Sequence, residues 1–164
     1  MEIMSPSLRY ERIKQLLGRL IEVVSEELGI EIASAGSTTF KRTDLERGIE
    51  PDQCYYIAHE AAIRRRDEID LAIDPPPDLA IEIDLSHGPS QKIHVYAALG
   101  VPEVWRWRDE TLEIHSLGPN GTYARVDASP GFPGLDLQAV RHALSRLGVD
   151  AESRIARDFR RALR

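Results

Sequence analysis

Apolar residues recur as Leu8, Ile13, Leu16, Leu17, Leu20, Val23, Val24 and Leu28, the three-and-four spacing of a helix that buries one side. Ser7 can cap its start and Gly29 can end it, which predicts a helix over 8–28. Ahead of it, "EIM" reads as a short strand and "SPS" as a turn. The pattern then changes. "IEIASAGSTTFKR" and "QCYYIAH" are rich in β-branched and aromatic residues and predict strands, joined by the polar "TDLERGIEP". "EAAIRRRDEIDLAIDPPP" predicts a short irregular or helical piece ended by its prolines. "DLAIEIDLS" predicts a strand, "HGPS" a turn, and "QKIHVYAALG" a short helix stopping at Gly100. "VPEVWRWRD" and "TLEIHSLG" predict a hairpin around Asp109 and Glu110, with "TYARVD" as a further strand. "SPGFPGLDLQAVRHAL" is a loop entering a helix, and "AESRIARDFRRALR" is helical in pattern. This order predicts an α/β (α+β) domain with one mixed central sheet.

One strand stands out. In "DLAIEIDLS", Ala80, Glu82 and Asp84 share one face, and Ile81, Ile83 and Leu85 share the other. Two like charges on one face of a partly buried strand cost stability unless a cation lies near them. Asp52 follows Pro51 at the start of the "QCYY" strand, where alternation places it with Cys54 and Tyr56. Lys92 follows Glu82 by ten positions and opens the next helix, whose first turn can fold back over the strand's end. Two carboxylates from neighbouring strands suit Mg²⁺, which takes oxygen ligands and keeps several waters. An ammonium beside them can orient water and stabilise charge on a phosphoryl group.

Composition narrows the classes. The 164 residues suit one domain, read here as a unit over 1–150 with a basic helical tail over 151–164. Hydrophobic residues make up 42% and charged residues 29%, a globular balance. The single cysteine, Cys54, excludes an internal disulfide framework and points to a cytoplasmic setting. No apolar run is long enough to span a membrane, and the first residues carry no signal-peptide core. The net charge of −6 argues against a nonspecific nucleic-acid coat, but seven arginines against three acids follow from Arg141 onward. In the tail, Arg154, Arg157 and Arg161 lie on one side with Arg160 and Arg164 beside it, docked on the acidic body, free to hold DNA phosphates, or simply the solvated side of a frayed helix. Its only large apolar residues are Ile155, Phe159 and Leu163, so the fold is expected to survive its loss.

Other constellations are weaker. Cys54 with a histidine suggests a thiol hydrolase, but a buried free cysteine explains it as well. His59, His87, His94, His115 and His142 lack zinc-type spacing, although His87 follows the acidic strand and could line the site. Trp105 and Trp107 read as core. Arg64, Arg65 and Arg66 form a basic run expected near the site, as phosphate holders or a solvated loop. There is no phosphate-cradling glycine motif and no G-x-S-x-G.

"MSPS", "GIEPDQCYYI", "DPPPDLAIEIDLS" and "KIHVYAALGVPEVWR", in that order, resemble the Uma-two family of bacterial proteins classed with restriction endonucleases, within the PD-(D/E)XK nuclease superfamily. The resemblance runs from about Met4 to Leu135. It implies a restriction-endonuclease-like core, a mixed sheet flanked by helices, here with an added β-hairpin. It places the two metal-binding acids on Asp52 and Glu82. The superfamily's usual lysine position, two residues after the second acid, holds Asp84 here. The resemblance is therefore to members whose lysine has moved to the following helix, here Lys92. Asp84 is then a third metal ligand or a group behind the ligands. Many relatives have histidine where Tyr10 stands, which leaves the first helix's part in the site open.

The expected function is a Mg²⁺- or Mn²⁺-dependent endonuclease acting on DNA, as a monomer or a homodimer, with Asp52, Glu82 and Asp84 at the metal and Lys92 positioning water. A nuclease-like module that binds or assembles without cutting is the rival. A carboxylate-pair glycosidase would need an aromatic groove, which 6% aromatic residues disfavour.

Overall fold

The computed structural model describes residues 7–43, 48–85 and 92–164. The expected strand at "EIM", the "HGPS" turn and His87 lie outside them. The elements are α1 (Leu8–Leu28), β1 (Ala33–Ser34), β2 (Gln53–Tyr56), α2 (Glu60–Ile63), β3 (Leu79–Asp84), α3 (Lys92–Leu99), β4 (Glu103–Arg108), β5 (Thr111–Leu117), β6 (Tyr123–Val126), α4 (Leu137–Ser145) and α5 (Glu152–Ala162). Helix α1 begins where the Ser7 hydroxyl accepts the Tyr10 N–H, and ends at Gly29, whose φ of 66° is left-handed.

The strands form one six-stranded sheet in sequence order, β1 to β6. Only β3 and β4 are parallel, and α3 lies between them in the chain, as a parallel crossover requires. The other neighbours are antiparallel. The hairpin between β4 and β5 turns on Asp109 and Glu110, at φ 52° and 61°, the left-handed pair of a two-residue loop. This mixed sheet with flanking helices is consistent with the restriction-endonuclease-like core and its added hairpin. The strand expected across "IEIASAGSTTFKR" is much shorter. Only Ala33 and Ser34 pair with β2, Gly36 then turns the chain at φ 55°, and Phe40 meets Ile49 in an isolated bridge.

Alternation divides the sheet's faces. Tyr55, Leu79, Ile81, Ile83, Trp105 and Trp107 face α1, α4 and α5 and build the larger core. Cys54, Ala80 and Val104 face the opposite way and pack with Phe40, Ile49 and, from α3, Tyr96 and Leu99. Trp105 and Trp107 are both buried, as expected. The Trp105 indole N–H donates to Glu103 at 2.5 Å, whereas that of Trp107 is buried without a partner among the described residues. Trp107→Phe should therefore cost little in melting temperature, because the lost area is partly offset by removing an unsatisfied donor. Trp105→Phe should cost clearly more.

Helix α5 corrects one expectation. Ile155 and Phe159 are fully buried in the larger core, and Leu163 packs against it. Arg160 pairs with Glu26 and Glu27 of α1, and Arg164 with Glu27. The apolar side of the basic helix is thus built into the domain, and two of its arginines dock on acidic α1. Among the described residues no helix is long and apolar enough to cross a membrane.

Candidate active site

The site forms where β2 begins and β3 ends. Asp52 stands one residue ahead of β2 and bonds around Glu82 from both sides. Its N–H donates to the Ile81 carbonyl at 3.2 Å, and its Oδ2 accepts the Ile83 N–H at 2.7 Å. Glu82 lies between those two residues with its side chain on the opposite face, toward α3. Lys92 and Tyr96 are four apart on α3 and so share a side. Lys92 Nζ donates to Glu82 Oε2 at 3.2 Å and to the Glu50 carbonyl at 3.1 Å. The Tyr96 hydroxyl donates to Glu82 Oε1, and the Tyr10 hydroxyl, from α1, donates to Asp52 Oδ1.

The electrostatics follow from this packing. Glu82 is only 7% exposed. Burial, and next the charge of Asp52, push its carboxyl up to about 7 against the opposing pull of Lys92 and Tyr96. Burial raises Asp52 as well, while the Ile83 N–H and then Lys92 hold it down. Two partly buried carboxylates therefore repel each other across a site with one nearby ammonium. These hard oxygen donors suit a divalent cation such as Mg²⁺, with water completing its coordination. Among the described residues no three His, Cys, Asp or Glu gather closely enough to hold an ion.

Of the four residues singled out in the sequence, Asp52, Glu82 and Lys92 converge. Asp84 occupies the same strand face, and its charge reaches Asp52, but its Oδ2 accepts from Arg106 Nη2 at 2.9 Å. The sequence reading passed over Tyr96 and Arg106. Tyr96 was detectable as the fourth residue after Lys92. Arg106 was detectable as the polar residue alternating with Trp105 and Trp107. Tyr10 was marked only by the family's histidine at that position.

The remaining candidates fall elsewhere. Because β2 runs antiparallel to β3, residues after Tyr56 emerge at the sheet end away from Glu82. Arg64 pairs there with Glu60 and Glu31, and Arg66 with Asp74, so the arginine run does not reach the site as expected. His59 pairs with Asp78, which also accepts the N–H groups of Ile57 and His59. Cys54 is fully buried and its thiol is pushed up to about 12, unsuited to nucleophilic work.

A strand-borne acid pair, a helix-borne lysine and a sheet with a single parallel pair now stand together. The Uma2 family model, described as "Putative restriction endonuclease", matches residues 1–150. The chain belongs to the Uma2 family. The match stops just before α5. A comparison with curated proteins finds no match.

Proposed function

We propose that this Uma2 domain hydrolyses phosphodiester bonds in DNA, with Asp52 and Glu82 holding Mg²⁺ or Mn²⁺ and Asp84 acting behind them. The observation that carries the reading is the convergence of two carboxylates from neighbouring strands, both raised by burial, on the Lys92 ammonium. When bound, the metal supplies a Lewis acid and a water of lowered pKa. The protein's groups do the positioning. Tyr96 and Tyr10 fix one oxygen of each carboxylate, which orients the acids before any ligand arrives. Lys92 uses two of its three donors on Glu82 and the Glu50 carbonyl, leaving one for a water or a phosphoryl oxygen. Its side chain is 44% exposed, so that donor is open to solvent. Cysteine usage supports a cytoplasmic setting.

Binding to the folded state alone should stabilise it by mass action. Raising Mn²⁺ or Mg²⁺ to about one hundred times its dissociation constant should add about 2.7 kcal/mol, or roughly 5–11 °C in melting temperature at 2–4 °C per kcal/mol. Glu82→Gln should remove this response. A wild-type protein indifferent to both ions would instead favour a module that binds or assembles without cutting.

A further inference from the structure

We infer that Arg106, held in place by Asp84, is the residue of this site that grips the substrate phosphate, and that Asp84 serves Arg106 instead of the metal. The inference rests on the nuclease reading above and assigns that site a further contact. Arg106 is 9% exposed and stands on β4 beside Glu82, its parallel partner in the sheet register. Trp105 and Trp107 occupy the opposite face, so Arg106 shares the face of Glu82 and Asp84. Its one hydrogen bond among the described residues is from Nη2 to Asp84 Oδ2. Nε and Nη1 have no such partner, yet neither is a sealed-off unsatisfied atom. A nearly buried guanidinium is therefore anchored through one nitrogen, with its other two nitrogens unbonded among the described residues, the form that suits a phosphate oxygen pair.

Charge supports the same assignment. Asp52, Glu82 and Asp84 face Lys92 and Arg106, so the ionised site carries one net negative charge. A divalent ion brings it to one net positive charge, which matches the single negative charge of a phosphodiester. A phosphomonoester dianion would be left with one negative charge uncompensated. The carboxylate at position 84 is then a positioning group. It fixes the guanidinium and leaves the metal to Asp52 and Glu82.

The test uses the full chain with Mn²⁺ and with a short duplex DNA in Ca²⁺, in wild type, Glu82→Gln, Asp84→Asn, Arg106→Gln and the double variant Asp84→Asn/Arg106→Gln. Mn²⁺ affinity is measured by calorimetric titration, and duplex affinity across a salt series. Asp84→Asn and Arg106→Gln should keep Mn²⁺ affinity within about threefold of wild type, while Glu82→Gln loses at least tenfold. Arg106→Gln should weaken duplex binding about tenfold and reduce the slope of log K against log salt by about one unit. The double variant removes both charges of the Asp84–Arg106 pair together, so it should melt closer to wild type than either single variant and show the same loss of slope. Loss of Mn²⁺ affinity in Asp84→Asn equal to that in Glu82→Gln would make Asp84 a ligand and overturn the inference. An unchanged salt slope in the double variant would overturn it too, with the nuclease reading intact. A wild type that binds neither Mn²⁺ nor duplex would instead bring down the nuclease reading itself, and this inference with it.

Discussion

A chain ending at Asp150 should lose most of its stability. Truncation removes Ile155 and Phe159, both buried in the larger core, and uncovers the side of α1 and α4 they pack against. Burying two such side chains contributes about 1.5–3 kcal/mol each, so the loss is roughly 3–6 kcal/mol before the uncovered partners are counted. That is a large part of the 5–15 kcal/mol typical of a domain. At about 2–4 °C per kcal/mol the melting temperature should fall by roughly 6–24 °C. The ion pairs of Arg160 and Arg164 with Glu26 and Glu27 add less by comparison, because each of Glu26 and Arg164 keeps most of its side chain in solvent. Calorimetry of the full and shortened chains checks this. A shortened chain with an unchanged melting temperature would mean that α5 rests on the surface. The consequence reaches the site: α1 also carries Tyr10, so loosening the α1–α5 contact should loosen the Asp52 carboxylate.

The second large effect concerns Glu82 without metal. Its folded pKa of about 7 lies above the ordinary carboxyl value of about 4.5, so the folded state binds the proton more tightly than the unfolded chain. The corresponding stability is fully present below about pH 4.5 and is lost as pH rises through about 7. At about 1.4 kcal/mol per unit, the loss is on the order of 3.5 kcal/mol. Glu82→Gln keeps the shape and removes the titration. In the presence of a chelator the variant should melt above wild type at pH 8, and the gap should close toward pH 5. Mn²⁺ at about one thousand times its dissociation constant should reverse the order at pH 8, since only wild type gains from the ion and about 4.1 kcal/mol exceeds that loss. Parallel melting curves from pH 5 to 8 would show that Glu82 is not held in a raised state.

Much of this was readable in the chain. Helix α1 and its caps follow from apolar spacing, Ser7 and Gly29. The hairpin follows from two alternating runs around Asp109 and Glu110. Glu82 and Asp84 declared themselves as charges on an apolar strand, and Asp52 and Lys92 joined them through the family's motif order. What escaped depended on distance. Tyr10 reaches Asp52 across forty-two positions, and Arg106 reaches Asp84 across twenty-two. No local pattern records such meetings. Strand β1 was over-read because β-branched residues invite a strand but cannot prevent the turn at Gly36. Helix α5 was under-read because its arginines outnumber its apolar residues, although Ile155 and Phe159, four apart, suffice to seat it.

The most direct measurement is cleavage of supercoiled plasmid by the purified chain, with Mg²⁺ or Mn²⁺ and with chelator, for wild type, Glu82→Gln and Lys92→Ala. Wild type should nick the plasmid only when the ion is present. Both variants should be slower by a factor of about one hundred or more, since each removes a group aimed at the reacting phosphate or its metal. Wild-type protein that binds Mn²⁺ yet leaves the plasmid intact, or a Lys92→Ala variant that cuts as fast as wild type, would contradict the assignment of this site to phosphodiester hydrolysis.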